Sequence, residues 1–190
     1  MKRTITYEKE RNISVTEEQA QASRNFTKII KVNSIIKTKE EFLNGELHNV
    51  VFYQEEETVD EIFSLYPELN GIDIAKRKEV QGNYIMEEVF GYLKNEGLKL
   101  HSFAIDNIVT GKTICFGDYD LQTGNIIMKT VMKIQYDCDL DIACYFYYNN
   151  QGTIEIIEEV NGERGCNDYP NSYYNNVLPL FPETGNNNEY

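Results

Sequence analysis

The densest run of potential ligands is Asp137-Cys138-Asp139-Leu140-Asp141, where alternate carboxylates could converge on a hard cation. Its spacing matches the opening of a calcium-binding loop. Yet Ile142 stands where that loop needs glycine, and Tyr148 where it needs a bidentate Glu. The run reads as a solvated hairpin turn, and no metal is expected. Asp118 and Asp120 could form a carboxylate dyad of the glycosidase kind, although acidic pairs at strand ends are common. His101 and Cys115 could pair across neighbouring strands as base and thiol. The competing reading is a core-edge histidine beside a buried thiol. His48 has no partner in the sequence around it, and Thr110-Gly111-Lys112-Thr113 ends like a phosphate loop but lacks the earlier glycine. Gly-x-Ser-x-Gly and His-Glu-x-x-His are absent. No catalytic residue and no cofactor is expected.

Charge and tyrosine remain. The 190 residues carry 18 Lys+Arg against 31 Asp+Glu, a net charge of −13, with 14 Tyr and no Trp. One negative cluster is Glu55, Glu56, Glu57, Asp60 and Glu61; Asp118, Asp120, Asp137, Asp139 and Asp141 fall at strand ends, and Glu155, Glu158 and Glu159 follow. Tyr145 and Tyr147 alternate with Ile142, Cys144, Phe146 and Tyr148, so the two aromatic rows lie on opposite sheet faces. Tyrosine beside carboxylate supplies rigid contact area with directed acceptors, the equipment of a recognition surface. The expected partner-binding set is therefore these two tyrosines, the Glu55–Glu61 acids and the five aspartates, facing a basic protein. A surplus of carboxylates also argues against nucleic acid, which needs a dense basic face.

A membrane partner is not expected either. The longest apolar run, Ile142 to Tyr148, falls far short of the roughly 20 residues that span a bilayer. The start, Met1 to Glu8, is basic but has no apolar stretch behind it, so it does not read as a signal peptide. The cysteines Cys115, Cys138, Cys144 and Cys166 form no C-x-x-C pair and are expected as free buried thiols in a cytoplasmic protein.

The elements that must position these groups follow from caps, turns and periodicity. Met1 to Asn12 reads as a short edge strand or a loose arm. Thr16-Glu17-Glu18-Gln19 and Thr58-Val59-Asp60-Glu61 have the spacing of capping boxes. Behind the second, Val59, Ile62, Phe63 and Tyr66 make one helical face that Pro67 closes. Phe26 to Val32 reads as a strand. Thr38-Lys39-Glu40-Glu41 imitates a capping box, but Asn44-Gly45 between two apolar runs favours a hairpin, Ile35–Leu43 with Glu46–Gln54. That hairpin sets Phe42 opposite Leu47 and Thr38 opposite Val51. Residues 72–79 are ambiguous, and 84–95 fit a helix or a strand.

From Leu98 the period is two. Leu98–Val109, Lys112–Tyr119, Ile126–Tyr136, Ile142–Tyr148 and Thr153–Val160, joined by short turns, make an antiparallel meander. In the third strand Ile126, Met128, Met132, Ile134 and Tyr136 are expected on the buried face, with Lys129, Lys133 and Gln135 on the wet one. Val177 to Phe181 could dock on the body. The expected fold is α+β: a mainly antiparallel curved sheet, with a C-terminal five-strand meander and two or three short helices, in a single domain over 1–190 whose ends, 1–12 and 182–190, are mobile.

Three features together resemble small cytosolic immunity proteins of bacterial toxin systems. They are the Phe42-Leu43-Asn44-Gly45-Glu46-Leu47-His48-Asn49-Val50-Val51-Phe52-Tyr53 hairpin, the Tyr147-Tyr148-Asn149-Asn150-Gln151-Gly152-Thr153-Ile154-Glu155 turn, and the acidic balance. The likeness spans Phe26 to Val160. It implies a non-enzymatic protein that holds a cognate toxin, often a cationic nuclease, inactive; it transfers no functional residue. Two alternatives stand beside it: an enzyme or small-ligand binder with a pocket near His101, Cys115 and Asp118, and a phage or secretion-system assembly component that self-associates through strand edges.

Overall fold

The computed structural model describes residues 2–9, 13–137, 139, 141–160 and 172–182. Its strands are β1 (Arg3–Lys9), β2 (Ile13–Val15), β3 (Phe26–Val32), β4 (Ile35–Leu43), β5 (Glu46–Tyr53), β6 (Gly71–Gln81), β7 (Tyr84–Leu93), β8 (Gly97–Asn107), β9 (Lys112–Asp118), β10 (Met132–Tyr136), β11 (Ile142–Tyr148) and β12 (Ile154–Glu159). Its helices are α1 (Glu17–Ser23), α2 (Val59–Leu65) and α3 (Ser172–Asn175). The strands follow the order β12-β11-β10-β9-β8-β7-β6-β5-β4-β3-β1-β2 in one open, mostly antiparallel sheet. The α+β expectation stands in this form, with a longer sheet than the meander alone. The contacts divide the chain into two compact units, Met1–Lys76 with Val89–Lys99, and Arg77–Glu88 with Leu100–Tyr190.

In the first unit both capping boxes form. Thr16 and Gln19 exchange side-chain and backbone bonds at the start of α1, and Thr58 and Glu61 do the same at α2. The face of α2 packs Val59, Ile62, Phe63 and Tyr66 against Val50, Phe52, Ile72 and Ile74. Full burial of Ile62 is worth roughly 1.5–3 kcal/mol. Because α2 lies between β5 and β6 in the chain, it works as a crossover, and these strands pair in parallel, Val51 with Asp73 and Tyr53 with Ala75.

Asn44 (φ 55°) and Gly45 (φ 82°) close the β4–β5 hairpin in the left-handed region that the turn requires. Phe42 faces Leu47 as expected, but a bulge between Glu41 and Phe42 moves Thr38 opposite Phe52 rather than Val51. The strand β1 lies between β3 and β2, so β2 forms the edge. Residues 84–93 are strand, which settles that ambiguity against the helix. The expectation of a mobile C-terminus falls on residues outside the described ones from 183 onward.

In the second unit the core gathers Phe103, Ile105, Cys115, Val131, Cys144, Phe146 and Tyr148, capped by Tyr173 and Val177. Gly117 leaves room for Val131 and the ring of Phe103, since a Cβ there would meet Val131 Cγ2 at 2.9 Å and the ring at 3.1 Å. The expected third strand of the meander is shorter than its pattern. A 3-10 turn at Met128–Thr130 interrupts it, and β10 begins only at Met132. That turn resets the alternation. Ile126 and Met128 pack on the core, while Met132, Ile134 and Tyr136 lie on the opposite face.

Lys133, expected on the wet face, is instead 0% exposed on the core face. Its ammonium donates to the carbonyls of Tyr173 (2.5 Å), Asn176 (2.9 Å) and Pro179 (2.8 Å) and lies 3.8 Å from the centre of the Tyr173 ring. Burial pulls its pKa down to about 8. One cation thus holds the 172–182 strap against the sheet, and the docking expected for Val177 to Phe181 occurs. The expectation of free thiols is also corrected. Cys115 is free, but Cys144 is in a disulfide whose other half lies outside the described residues.

Candidate partner-binding face

Cross-strand register in the second unit sorts its residues into two kinds of row. One row runs Ile105, Cys115, Lys133, Phe146 across β8 to β11 and is fully buried. The neighbouring row, Ala104, Phe116, Met132, Tyr147, Ile156, crosses to β12 on the opposite face. Its members on β8 to β11 are half-buried, and Ile156 is 58% exposed. A parallel row places Ile134 beside Tyr145 and Tyr145 beside Glu158. Asp118, opposite Ser102, belongs to this outer face by the same alternation.

On that face the rings of Tyr145 and Tyr147 lie 6.4 Å apart. The Tyr147 hydroxyl donates to Glu158 Oε2 at 2.9 Å. This bond, with desolvation behind it, raises the phenol pKa. The result is a rigid pair of amphipathic rings on an apolar floor of Phe116, Met132 and Ile134, with carboxylates at Glu158 and Asp118. Such a surface can exclude water from a contact while directing acceptors at its rim. Alternation places Tyr145 and Tyr147 opposite Cys144, Phe146 and Tyr148, as expected, and the structure makes Tyr145 and Tyr147 the open row.

The other expected partner-binding residues divide. Asp120 Oδ1 accepts from the Gln122 and Thr123 amides and from the Thr123 hydroxyl, which holds its carboxyl below the usual range. Asp137 Oδ1 accepts from the amides of Asp139 and Asp141. Both carboxylates build turns. Among the described residues no group of three or more His, Cys, Asp or Glu is placed to hold a metal ion.

In the first unit, Lys37 bridges Glu55 (3.3 Å) and Glu57 (2.9 Å), and its hydrogen bond is the largest cause drawing the Glu57 carboxyl down to about 2. Of that cluster Glu56, Asp60 and Glu61 stand exposed without an ion pair among the described residues, and the Glu61 carboxylate is taken up by the Thr58 cap. Glu40, buried and not foreseen, accepts from Lys28 Nζ (2.8 Å) and the Tyr66 hydroxyl (3.1 Å), and burial followed by the Glu40 charge lifts the Tyr66 phenol to about 12.

The residues of the enzyme alternative do not converge. Tyr119, not Cys115, is hydrogen-bonded opposite His101 through its amide at 2.8 Å. Cys115 lies opposite Ile105, four strand positions from that pair, or roughly 13 Å at ~3.3 Å per residue. Burial pushes its thiol up to about 12, the wrong direction for a nucleophile. Asp118 is on the other face. What sequence reasoning missed is the company His101 keeps: its Nε2 lies 3.3 Å from Glu88 Oε2, its ring stacks on Tyr119 at 4.2 Å, and Lys78 reaches the same carboxylate at 3.3 Å. Placing Tyr119 opposite His101 across the Thr110-Gly111 turn would have found part of it.

A groove of about 660 Å³ in the first unit runs over Tyr7, Phe26 and Phe42. Its two cations are already engaged, Lys28 by Glu40 and Arg24 by the Asn44 carbonyl.

No family model, curated protein or solved structure matches the chain. No helix among the described residues is long and apolar enough to cross a membrane.

Proposed function

We propose that the chain is a non-catalytic binding protein whose tyrosine-bearing outer face in the second unit receives a basic protein partner. An immunity or inhibitor role against a cationic toxin is the specific form. The observation that carries this reading is the half-exposed Tyr145–Tyr147 pair beside Glu158, on the one sheet face of that unit that does not carry its core. The net charge of −13 supports it, because long-range attraction speeds association with a cation-rich surface. Asp118 and the two tyrosines, from the expected set, contribute most together with Glu158, which was not in it, and Glu56 and Asp60 add to steering. A cytoplasmic setting belongs to the immunity reading. Against it stands the Cys144 disulfide, which reducing compartments rarely keep; thiol alkylation of protein taken from its native host reads this directly.

The test is association with the cognate basic protein at low and high ionic strength. Replacing both Tyr145 and Tyr147 by Ala is expected to weaken the complex by about thirtyfold, since buried tyrosine anchors are worth ~2 kcal/mol or more. Glu158→Lys should slow association and flatten its salt dependence. A complex indifferent to all three changes would overturn the reading.

A further inference from the structure

The strand β12 ends the sheet, and hydrogen-bond alternation shows what its free side offers. Val160 donates to Ala143 at 3.0 Å, which makes their pair a bonded one. Two-residue alternation then turns Glu158 and Ile156 toward β11, and leaves the N–H and C=O of Ile157 and Glu159 pointing away from it. The strap covers only the beginning of this edge: Val177 donates to the Gly152 carbonyl at 2.8 Å and Asn176 bridges to Thr153. From Glu155 to Glu159 no strand pairs with the edge among the described residues. The side chains there are all exposed, with Ile156 58% and Ile157 41%.

We propose that this edge accepts an extended basic segment of the partner as a thirteenth, antiparallel strand. The proposal rests on the partner-binding reading above and names its docking mode. Unpaired main-chain groups give affinity in such additions, and side chains give specificity. The register dictates the pattern. Positions opposite Ile156 and Ile157 extend apolar rows, and positions opposite Glu158, Glu159 and Glu155 call for Lys or Arg.

A second copy is the wrong occupant. A twofold antiparallel pairing centred on Ile157 sets Glu159 against Glu155, one centred on Glu158 or Glu159 sets that carboxylate against itself, and one centred on Ile156 runs Glu159 against Thr153, where Asn176 of the strap already bridges. Like charges directly opposite are destabilising, so the edge that would invite self-association is guarded by its own acids.

The experiment is fluorescence anisotropy of the full chain with a labelled, end-blocked peptide containing Lys-Lys-Val-Ile-Lys. The comparison peptide has the same sequence, N-methylated at the residues whose amides would face β12. The unmodified peptide is expected to bind, with amide shifts concentrated at 155–159, and the N-methylated one to bind on the order of tenfold more weakly. Ile157→Pro should weaken the unmodified peptide comparably, because it removes an outward amide and no bond to β11. The N-methylated peptide does not depend on that variant folding.

Equal binding of both peptides would overturn strand addition while leaving the acidic-face reading intact. No binding of either would also overturn it, and the tyrosine variants with the whole partner would still judge the broader reading. A dimer in sedimentation that Glu158→Lys abolishes would replace the basic segment by a second copy.

Discussion

The two regions richest in acids use them in opposite ways. Around α2, Glu55 and Glu57 close on Lys37 and Glu61 closes on the Thr58 cap, so most of that cluster is consumed in holding the first unit together. On the outer face of the second unit, Glu158 is held, among the described residues, by a tyrosine hydroxyl that is itself half-exposed. The core side of the same strands carries the reverse arrangement, a buried cation with carbonyl acceptors and, among the described residues, no carboxylate in its hydrogen bonds. Charge density along a sequence is thus a poor guide to charge on offer. What decides is whether a cation or a backbone amide already occupies the carboxylate.

Breaking that contrast should have its largest effect at Lys133. Lys133→Ala leaves buried carbonyls without a donor and removes the strap's anchor, and we expect a loss of about 3 kcal/mol in urea unfolding. Amide exchange should rise through 172–177. An unchanged midpoint would mean that the strap is held by Tyr173 and Val177 alone. Thr58→Ala comes next, at about 1 kcal/mol, because it removes a cap whose carboxylate partner is Glu61. Glu158→Gln, by comparison, should change stability by no more than ~0.5 kcal/mol, as a group engaged in recognition rather than in folding should.

The acid side of the comparison can be sharpened by titration. Glu57 has its pKa lowered from 4.5 to about 2, so its ion pair stabilises the fold above about 4.5 and that contribution fades as pH falls toward 2. Carboxyl carbon shifts of Glu57 should therefore titrate late, and the Lys37→Met variant should return them to the ordinary range. Smallest of all, Glu56→Gln should leave stability within ~0.5 kcal/mol and slow partner association less than Glu158→Lys does.

Much of the architecture was legible where local chemistry decides it. The caps at Thr16 and Thr58 and the Asn44-Gly45 turn are set by residues a few positions apart, and all formed as read. The failures have a common physical origin in events that a periodic pattern cannot display. The 3-10 turn at Met128–Thr130 shifted the phase of β10 and carried Lys133 into the core, where its carbonyl partners lie 40 to 46 residues away. The parallel β5–β6 pair depends on a crossover that an antiparallel bias hides. Of the candidate site, the opposition of Tyr145 and Tyr147 to Phe146 and Tyr148 was visible in the alternation. Which row faces outward was fixed only by where the strap docks.

If the outer face is the recognition surface, open negative potential collects on β11 and β12 and not around α2. Paramagnetic relaxation of amide protons by a cationic and an anionic nitroxide cosolute measures that potential residue by residue. A more negative value is expected at Tyr145, Tyr147 and Glu158 than at Glu55, Glu57 and Glu61. An even potential over both regions, or a deeper one around α2, would contradict that assignment.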